Sequence, residues 1–303
     1  MSPHGRPRYV YRWKDSGSLQ PFDARKARML GFLFEGRRDA LAALCDRHLN
    51  LDPTGTVAFE PLTHHVLVTF TDVGWVTAAN PPFRDYGGNP ELELTIWLIV
   101  RQHGGVAPKL FTPYCLLDNP LAVQHGREVY GFPKEMARFP TWTEDALAVE
   151  AYTFDVFRPT TVGKYRPVLS VTREPSTIGD ALARDFSHPF ELAGKLIPHL
   201  LDALPKPLWP PHGPIVFLKQ LPDTEDSRYA SYQAIVEAEL ALTAVRSVVW
   251  RPGTFVLTLP HCDGHPFEDD LGLASGAEAL VNFSVDFDFT LGTGTELWRA
   301  EVP

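Results

Sequence analysis

Lys134 lies in the run Gly126-Arg127-Glu128-Val129-Tyr130-Gly131-Phe132-Pro133-Lys134-Glu135-Met136-Ala137, a lysine set among apolar and aromatic side chains. In water an ammonium titrates at about 10.4. An apolar pocket disfavours the charged form and lowers that value by up to ~3–5 units when burial is complete. The neutral amine is then a nucleophile: it condenses with a carbonyl and gives an iminium, an electron sink for the bonds beside it. Local composition alone favours a surface lysine following a proline, because Lys is seldom buried without a partner. Whether Lys134 is reactive therefore depends on what surrounds it.

Glu91 to Arg101 alternates so that Glu91, Glu93, Thr95 and Trp97 share one face of a strand. Two carboxylates on a strand face form either a solvated face or a pair held near an amine. In the second case they can carry a proton or bind a substrate hydroxyl or ketone. Metal binding is the competing chemistry. His261-Cys262-Asp263-Gly264-His265 packs four potential ligands into five residues, and His64-His65 adds two more. Zinc sites draw spaced pairs from separate segments, and neither group has the Cys-x-x-Cys or His-Glu-x-x-His arrangement. The Gly and Pro around 261–266 favour a solvated loop, so no metal is expected.

The elements that would hold these residues are mainly strands. Met29–Phe34 has strand length, and Arg38–His48 carries the i, i+3, i+4 spacing of a helix. Thr56–Phe59, His65–Thr71, Glu91–Arg101 and Lys109–Leu117 read as strands, with Gly104-Gly105 turning between the last two. Leu121–Gly126 has the length of a short helix closed by its glycine. Leu147–Phe157, Val168–Arg173, Ile215–Gln220, Thr254–Thr258 and Val281–Leu291 are further strands, whereas Ala230–Arg246 suits helix and strand alike. Residues 1–24 read as a surface wrap. Ser176–Leu204 reads as one or two helices, followed by a proline-rich connector at 206–214.

The chain has 303 residues, 44% of them hydrophobic and 21% charged, enough to bury a substantial core. A net charge of −9 argues against nucleic acid and anionic membrane surfaces as partners. No apolar run approaches the ~18 residues of a membrane span, and the first residues lack the apolar core of a signal peptide. Cys45, Cys115 and Cys262, odd in number and widely spaced, suit buried thiols in a reducing compartment. A cytoplasmic protein is expected.

Leu117-Asp118-Asn119, followed by Gly126-Arg127-Glu128, two further residues and Gly131-Phe132-Pro133-Lys134, resembles the signature segment of the acetoacetate decarboxylase superfamily. The Met29–Phe34 strand with its helix, the Glu-bearing strand and Leu218-Lys219-Gln220-Leu221-Pro222 follow in the family's order. The resemblance implies an α+β fold: mostly antiparallel, barrel-like β structure with peripheral helices, as one domain over 1–303 with an insertion at about 174–213. It implies a homo-oligomer and a cofactor-independent lyase whose Schiff-base lysine is Lys134, acting on a small keto acid or ketone by decarboxylation or by aldol condensation and dehydration. Glu91 or Glu93 would be the family's acid, and Arg28 or Arg25 its carboxylate-binding arginine. Tyr130, Phe132 and Glu135 would line the substrate site. Arg127 and Glu128 would shape the loop. In the decarboxylase proper a second lysine follows the first; here that position is Glu135, which favours the ammonium form of Lys134 if it lies close and points away from the namesake substrate. The alternative is a non-catalytic member that binds a keto acid or hydrophobic metabolite.

Overall fold

The computed structural model describes residues 9–10, 20–175 and 213–301. Its strands are β1 (Phe22–Glu35), β2 (Phe59–Pro61), β3 (His65–Ala78), β4 (Asn89–Gln102), β5 (Pro108–Leu117), β6 (Lys134–Trp142), β7 (Ala146–Thr153) and β8 (Lys164–Arg173). After the undescribed stretch come β9 (Gly213–Pro222), β10 (Ala230–Trp250), β11 (Phe255–Thr258), β12 (Val281–Leu291) and β13 (Thr295–Arg299). Among the described residues three short α-helices accompany them: α1 (Arg38–His48), α2 (Pro120–His125) and α3 (Phe267–Leu271). None of the described helices is long and apolar enough to cross a membrane.

All the described strands join one 13-stranded sheet. Within it β4, β5, β9, β10, β12, β1 and β3 close into a ring, because β5 pairs with β9 on one side and with β4 on the other. The result is the barrel-like α+β fold expected. From β5 the sheet continues outward through β6, β7, β8 and β11. Long strands of alternating small and aromatic residues suit such a closure, since closing the sheet removes exposed edges. The main core lies between this outward wing and the ring: Phe32, Phe34 and Phe70 meet Leu41, Leu44, Val149, Val171 and Phe255.

Not every pairing is antiparallel. β6 runs parallel to β5 with Cys115 opposite Lys134, and β9 is also parallel to β5. A parallel pair needs a crossover, and the crossover from β5 to β6 is the signature segment itself. Several expected bounds shift. β1 begins at Phe22, so residues 22–24 belong to the barrel rather than to a surface wrap. Residues 56–58 precede a shorter β2, and β7 ends at Thr153 rather than Phe157. The ambiguous 230–246 stretch is strand, extended to Trp250, because both flanks find partners in β9 and β12. The expected helices in 176–204 and most of the 206–214 connector lie outside the described residues.

Candidate active site

Lys134 is the first residue of β6, and its position is set by the crossover before it. Asn119 caps α2, its Oδ1 accepting from the amides of Leu121 and Ala122. The helix does not close at Gly126, which keeps right-handed helical angles. It widens instead into a single π turn over Gly126–Tyr130, and Gly131 takes the left-handed exit at φ 92°. Such π turns often mark functional positions. The amides of Gly131 and Phe132 both donate to the Gly126 carbonyl. A Cβ on Gly131 would sit 2.5 Å from the Lys219 Cα, so the glycine permits close contact with β9 as well as the turn. A Cβ on Gly126 would sit 2.5 Å from the Lys134 Cδ: the bare backbone there makes the channel in which the lysine lies.

Other residues of the signature fasten this turn. Arg127 donates to the Lys134 carbonyl at 3.2 Å, and Lys219 to the Val129 carbonyl at 3.0 Å. The Tyr130 hydroxyl donates to the Gly292 carbonyl at 2.8 Å, tying the turn to the end of β12. Asp118 and Asn119 bracket Glu91 across the strands. Asp118 Oδ1 accepts from the Leu92 amide at 2.9 Å, and Asn119 Nδ2 donates to the Pro90 carbonyl at 2.9 Å. The Leu-Asp-Asn part of the pattern thus holds the glutamate strand against the lysine segment.

The lysine enters the lumen of the barrel. There a cavity of about 150 Å³ is lined by Glu91, Glu93, Thr95 and Trp97 of β4, by Tyr130, Phe132 and Lys134 of the signature, and by apolar residues of β1, β3, β9, β10 and β12. The strand face expected from alternation is therefore the lumenal face. Lys134 Nζ is 3.8 Å from Glu91 Oε1, with both side chains about nine-tenths buried or more. It also lies 5.3 Å from the Phe132 ring centroid, within cation–π range. Burial pulls the Lys134 ammonium toward neutrality, but Glu91, Cys115 and Glu93 together outweigh it, and its proton affinity stands above that of ordinary lysine. Burial pushes the Cys115 thiol up to about 12, so at neutral pH it is uncharged and the holding charges are the carboxylates. Glu93 is pushed up to about 7, by burial first and by its neighbour Glu91, with Lys134 pulling the other way.

Three expected residues lie elsewhere. Arg28 faces outward from β1, more than half exposed, and pairs with the equally exposed Glu144. It is absent from the cavity wall, and Arg25, also exposed, pairs with Asp23. The register of β1 turns Met29 inward and thereby Arg28 outward. Glu135 is likewise on the far face of β6: its Oε2 meets His265 Nε2 at 3.1 Å, and it takes no part in raising the Lys134 proton affinity. The lowering expected from burial alone is overturned, and the carboxylates responsible are Glu91 and Glu93 rather than Glu135.

The four potential ligands at 261–265 do not converge on one point. His261 pairs with Asp263 at the surface, Cys262 donates to the Phe154 carbonyl, and His265 turns inward to Glu135. Sequence reasoning missed Ala122, His125 and Gly126 as cavity residues.

No curated protein sequence matches this one. Among solved structures it is similar to an acetoacetate decarboxylase from Legionella pneumophila, with TM-score 0.58 and 18% identity over 98% of this chain and 94% of that one. It is similar to an acetoacetate decarboxylase-like enzyme from Sphingomonas wittichii, with TM-score 0.55 and 14% identity over 92% and 94%. It is also similar to the enduracididine biosynthesis enzyme MppR complexed with pyruvate, with TM-score 0.54 and 16% identity over 98% and 95%. These likenesses carry the fold. The family model described as acetoacetate decarboxylase matches residues 6–299, nearly the whole length, and the chain belongs to that family.

Proposed function

We propose that the protein is a Schiff-base lyase in which Lys134 forms an imine with the carbonyl of a ketone or keto acid. The observation that carries this is the buried ammonium in the barrel lumen, 3.8 Å from Glu91 and beside a Glu93 poised at about 7. Imine formation needs a neutral amine, and here the resting state is the ammonium. An entering carbonyl displaces water, which penalises separated charges and favours transfer of the proton to Glu93. The amine then attacks the carbonyl carbon. Glu93 returns the proton as water departs, leaving the iminium, so that ammonium and ketone give iminium and one water with no net proton change. The iminium withdraws electrons from the neighbouring bond, so loss of carbon dioxide, aldol cleavage or loss of an α-proton yields an enamine, which is then protonated or, in condensation, adds to a second carbonyl and regenerates the iminium. Glu91 lies 3.8 Å from the nitrogen that becomes the iminium, and Tyr130 and Phe132 wall the site.

The family and a structural neighbour seen with pyruvate support a small carbonyl substrate. The imine is built on the protein's own lysine, so this reading needs no cofactor. It takes residues 1–303 as one domain forming a cytoplasmic homo-oligomer, the assembly being readable by light scattering. The test is to incubate the protein with pyruvate, acetoacetate or acetone, reduce with borohydride and weigh the intact chain. An adduct that disappears in Lys134→Ala supports the reading, and no adduct with any ketone overturns it. Release of carbon dioxide from acetoacetate separates a decarboxylase from an aldolase-dehydratase.

The raised proton affinity of Lys134 favours a second reading, in which a non-catalytic member binds a metabolite and Lys134 serves only as a charge. Saturable binding without an adduct would select it.

A further inference from the structure

The polar side chains of the cavity are unevenly placed. Thr69, Thr71, Thr77, Asn89, Thr95 and Trp97 stand on β3 and β4, the wall that also carries Glu91 and Glu93. Most of the hydroxyls there are committed to the protein itself. Thr69 Oγ1 donates to the Thr95 carbonyl at 3.1 Å and accepts from the Trp97 indole at 3.0 Å. Thr77 donates to the Gly87 carbonyl at 2.7 Å, and Thr95 contacts the Cys115 thiol at 3.5 Å. The walls built by β1, β9, β10 and β12 are apolar, with Met29, Ile215, Leu240 and Phe287 among their residues. Among the described residues no arginine lines the space.

The remaining wall is α2 with the π turn that extends it. Leu121, Ala122, His125 and Gly126 line the lumen, positions that share one face of a helix. Gly126 is the residue against which the lysine lies: a Cβ there would be 3.1 Å from the Lys134 Cε. The Cα of its neighbour His125 is within roughly 8 Å of that atom, and the half-buried His125 side chain enters the same cavity. Lys134 is thus flanked by two unlike walls. One holds Glu91 at 3.8 Å from its Nζ, and the other carries an imidazole. The Tyr130 hydroxyl, on the same turn, is already committed to the Gly292 carbonyl.

A keto acid joined to Nζ has a carboxylate to place as well as a carbonyl. A carboxylate accepts hydrogen bonds and donates none. Against β3 and β4 it meets the donors Asn89 and Thr71, but also the charge of Glu91. Against α2 it meets His125, which offers an N–H whether the ring is neutral or protonated. Repulsion between like charges in a buried space turns the carboxylate toward the helix. From this asymmetry we propose that His125 binds the carboxylate of a keto acid substrate and so sets the preference for a keto acid over a plain ketone. The proposal deepens the imine reading and rests on it. His125 takes the part that Arg28, facing outward on β1, does not. The imidazole holds the substrate and makes or breaks none of its bonds.

The test uses pyruvate and acetone, which differ by a carboxylate in place of a methyl group. The full chain is titrated with each, reduced with borohydride and weighed, and the ratio of the two half-saturating concentrations is the readout. The expected result is that His125→Ala raises the value for pyruvate by ~10-fold relative to that for acetone. His125→Gln, which keeps an N–H donor at similar reach, should restore most of the difference. An equal shift for both compounds means that His125 only packs the wall, and overturns the proposal while leaving the imine reading standing. A ratio that moves in Asn89→Ala or Thr71→Val but not in His125→Ala puts the carboxylate on the glutamate wall and overturns it too. If neither compound labels the wild-type chain, the imine reading fails, and calorimetry with lactate, which cannot form an imine, decides the subsite alone. Binding that His125→Ala weakens sustains it; binding that is unchanged, or none in the wild type, overturns it.

Discussion

Lys134 and Glu135 are neighbours in the chain and belong to different environments. The first side chain enters an apolar lumen where carboxylates offset the cost of its burial. The second points to the other face of β6, where it meets His265 beside Tyr114, which donates to Asp270, itself paired with Arg47. On that second face the charges are locally matched and one end of each pair reaches solvent. Such a network ties α1, α3 and β5 together and holds β6 in place. On the lumenal face one cation confronts two carboxylates, and one of these is pushed up to about 7. An unbalanced, buried set of titratable groups can change protonation when a ligand arrives, whereas a matched, half-exposed set has little reason to. The alternation of a strand is enough to separate the two roles.

The largest effect expected is at Lys134. Lys134→Met should abolish the borohydride adduct and lower turnover of any substrate by roughly three orders of magnitude or more, since a nucleophile has no substitute. The variant also leaves Glu91 and Glu93 without their cation, so the proton affinity of the pair should rise, readable by carbonyl infrared absorption as a larger protonated fraction at neutral pH. A residual adduct of wild-type stoichiometry in Lys134→Met would move the chemistry to another lysine.

Glu93 comes next. Glu93→Gln should cost about 10²–10⁴ in rate, the usual weight of a positioned acid or base, and should flatten the arm of the pH profile near 7. It should also change how stability depends on pH. In the folded chain the carboxyl titrates at about 7 instead of 4.5, so between those values the folded state holds a proton that the unfolded state has released. Stability then falls as pH rises through that window. The variant lacks this loss, so its melting temperature relative to wild type should be higher at pH 8 than at pH 4.5. A difference independent of pH would mean that Glu93 is ordinarily solvated.

A smaller effect, on geometry alone, is expected at Gly126. A methyl group there would lie 2.5 Å from the Lys134 Cδ and must push the lysine from its channel. A displacement of about 1 Å can cost ~10²-fold, so Gly126→Ala should slow imine formation by about that factor while binding of the ligand persists. On the far face of β6, Glu135→Ala should leave the buried His265 Nε2 without its partner and lower stability by ~1–3 kcal/mol by denaturant titration. It should leave the pH profile of imine formation unchanged. A profile that shifts with Glu135 would erase the distinction between the two faces.

Much of the lumenal face was legible in the sequence because its information is local. The alternation at 91–97 puts both glutamates on one side, and the signature places the lysine. What could not be read is set by pairing between distant segments. Closure of the barrel depends on β5 reaching both β4 and β9, with Leu110 opposite Ile215 far along the chain. The 230–250 stretch has residues that serve either structure and becomes strand because β9 and β12 flank it. Glu135 looked like a neighbouring charge to Lys134 because sequence adjacency ignores the pleat.

Arg28 is the sharpest instance of the same limit and gives the smallest expected effect. A guanidinium preceding a run of apolar strand residues suits a carboxylate ligand, but its facing depends on the register of β1 between β3 and β12, where Arg28 lies opposite Asp72 and Asp286. The inward positions go to Ala24 and Met29, and Arg28 is left at the surface with Glu144. Exposed pairs of this kind contribute about 0–1 kcal/mol. Arg28→Ala should therefore move the denaturation midpoint little and leave the half-saturating concentration of pyruvate in the borohydride assay where it was. A tenfold rise in that concentration would mean that the guanidinium reaches the lumen in solution, which would bring a carboxylate-binding cation into the cavity and erase the separation of the two faces of β1.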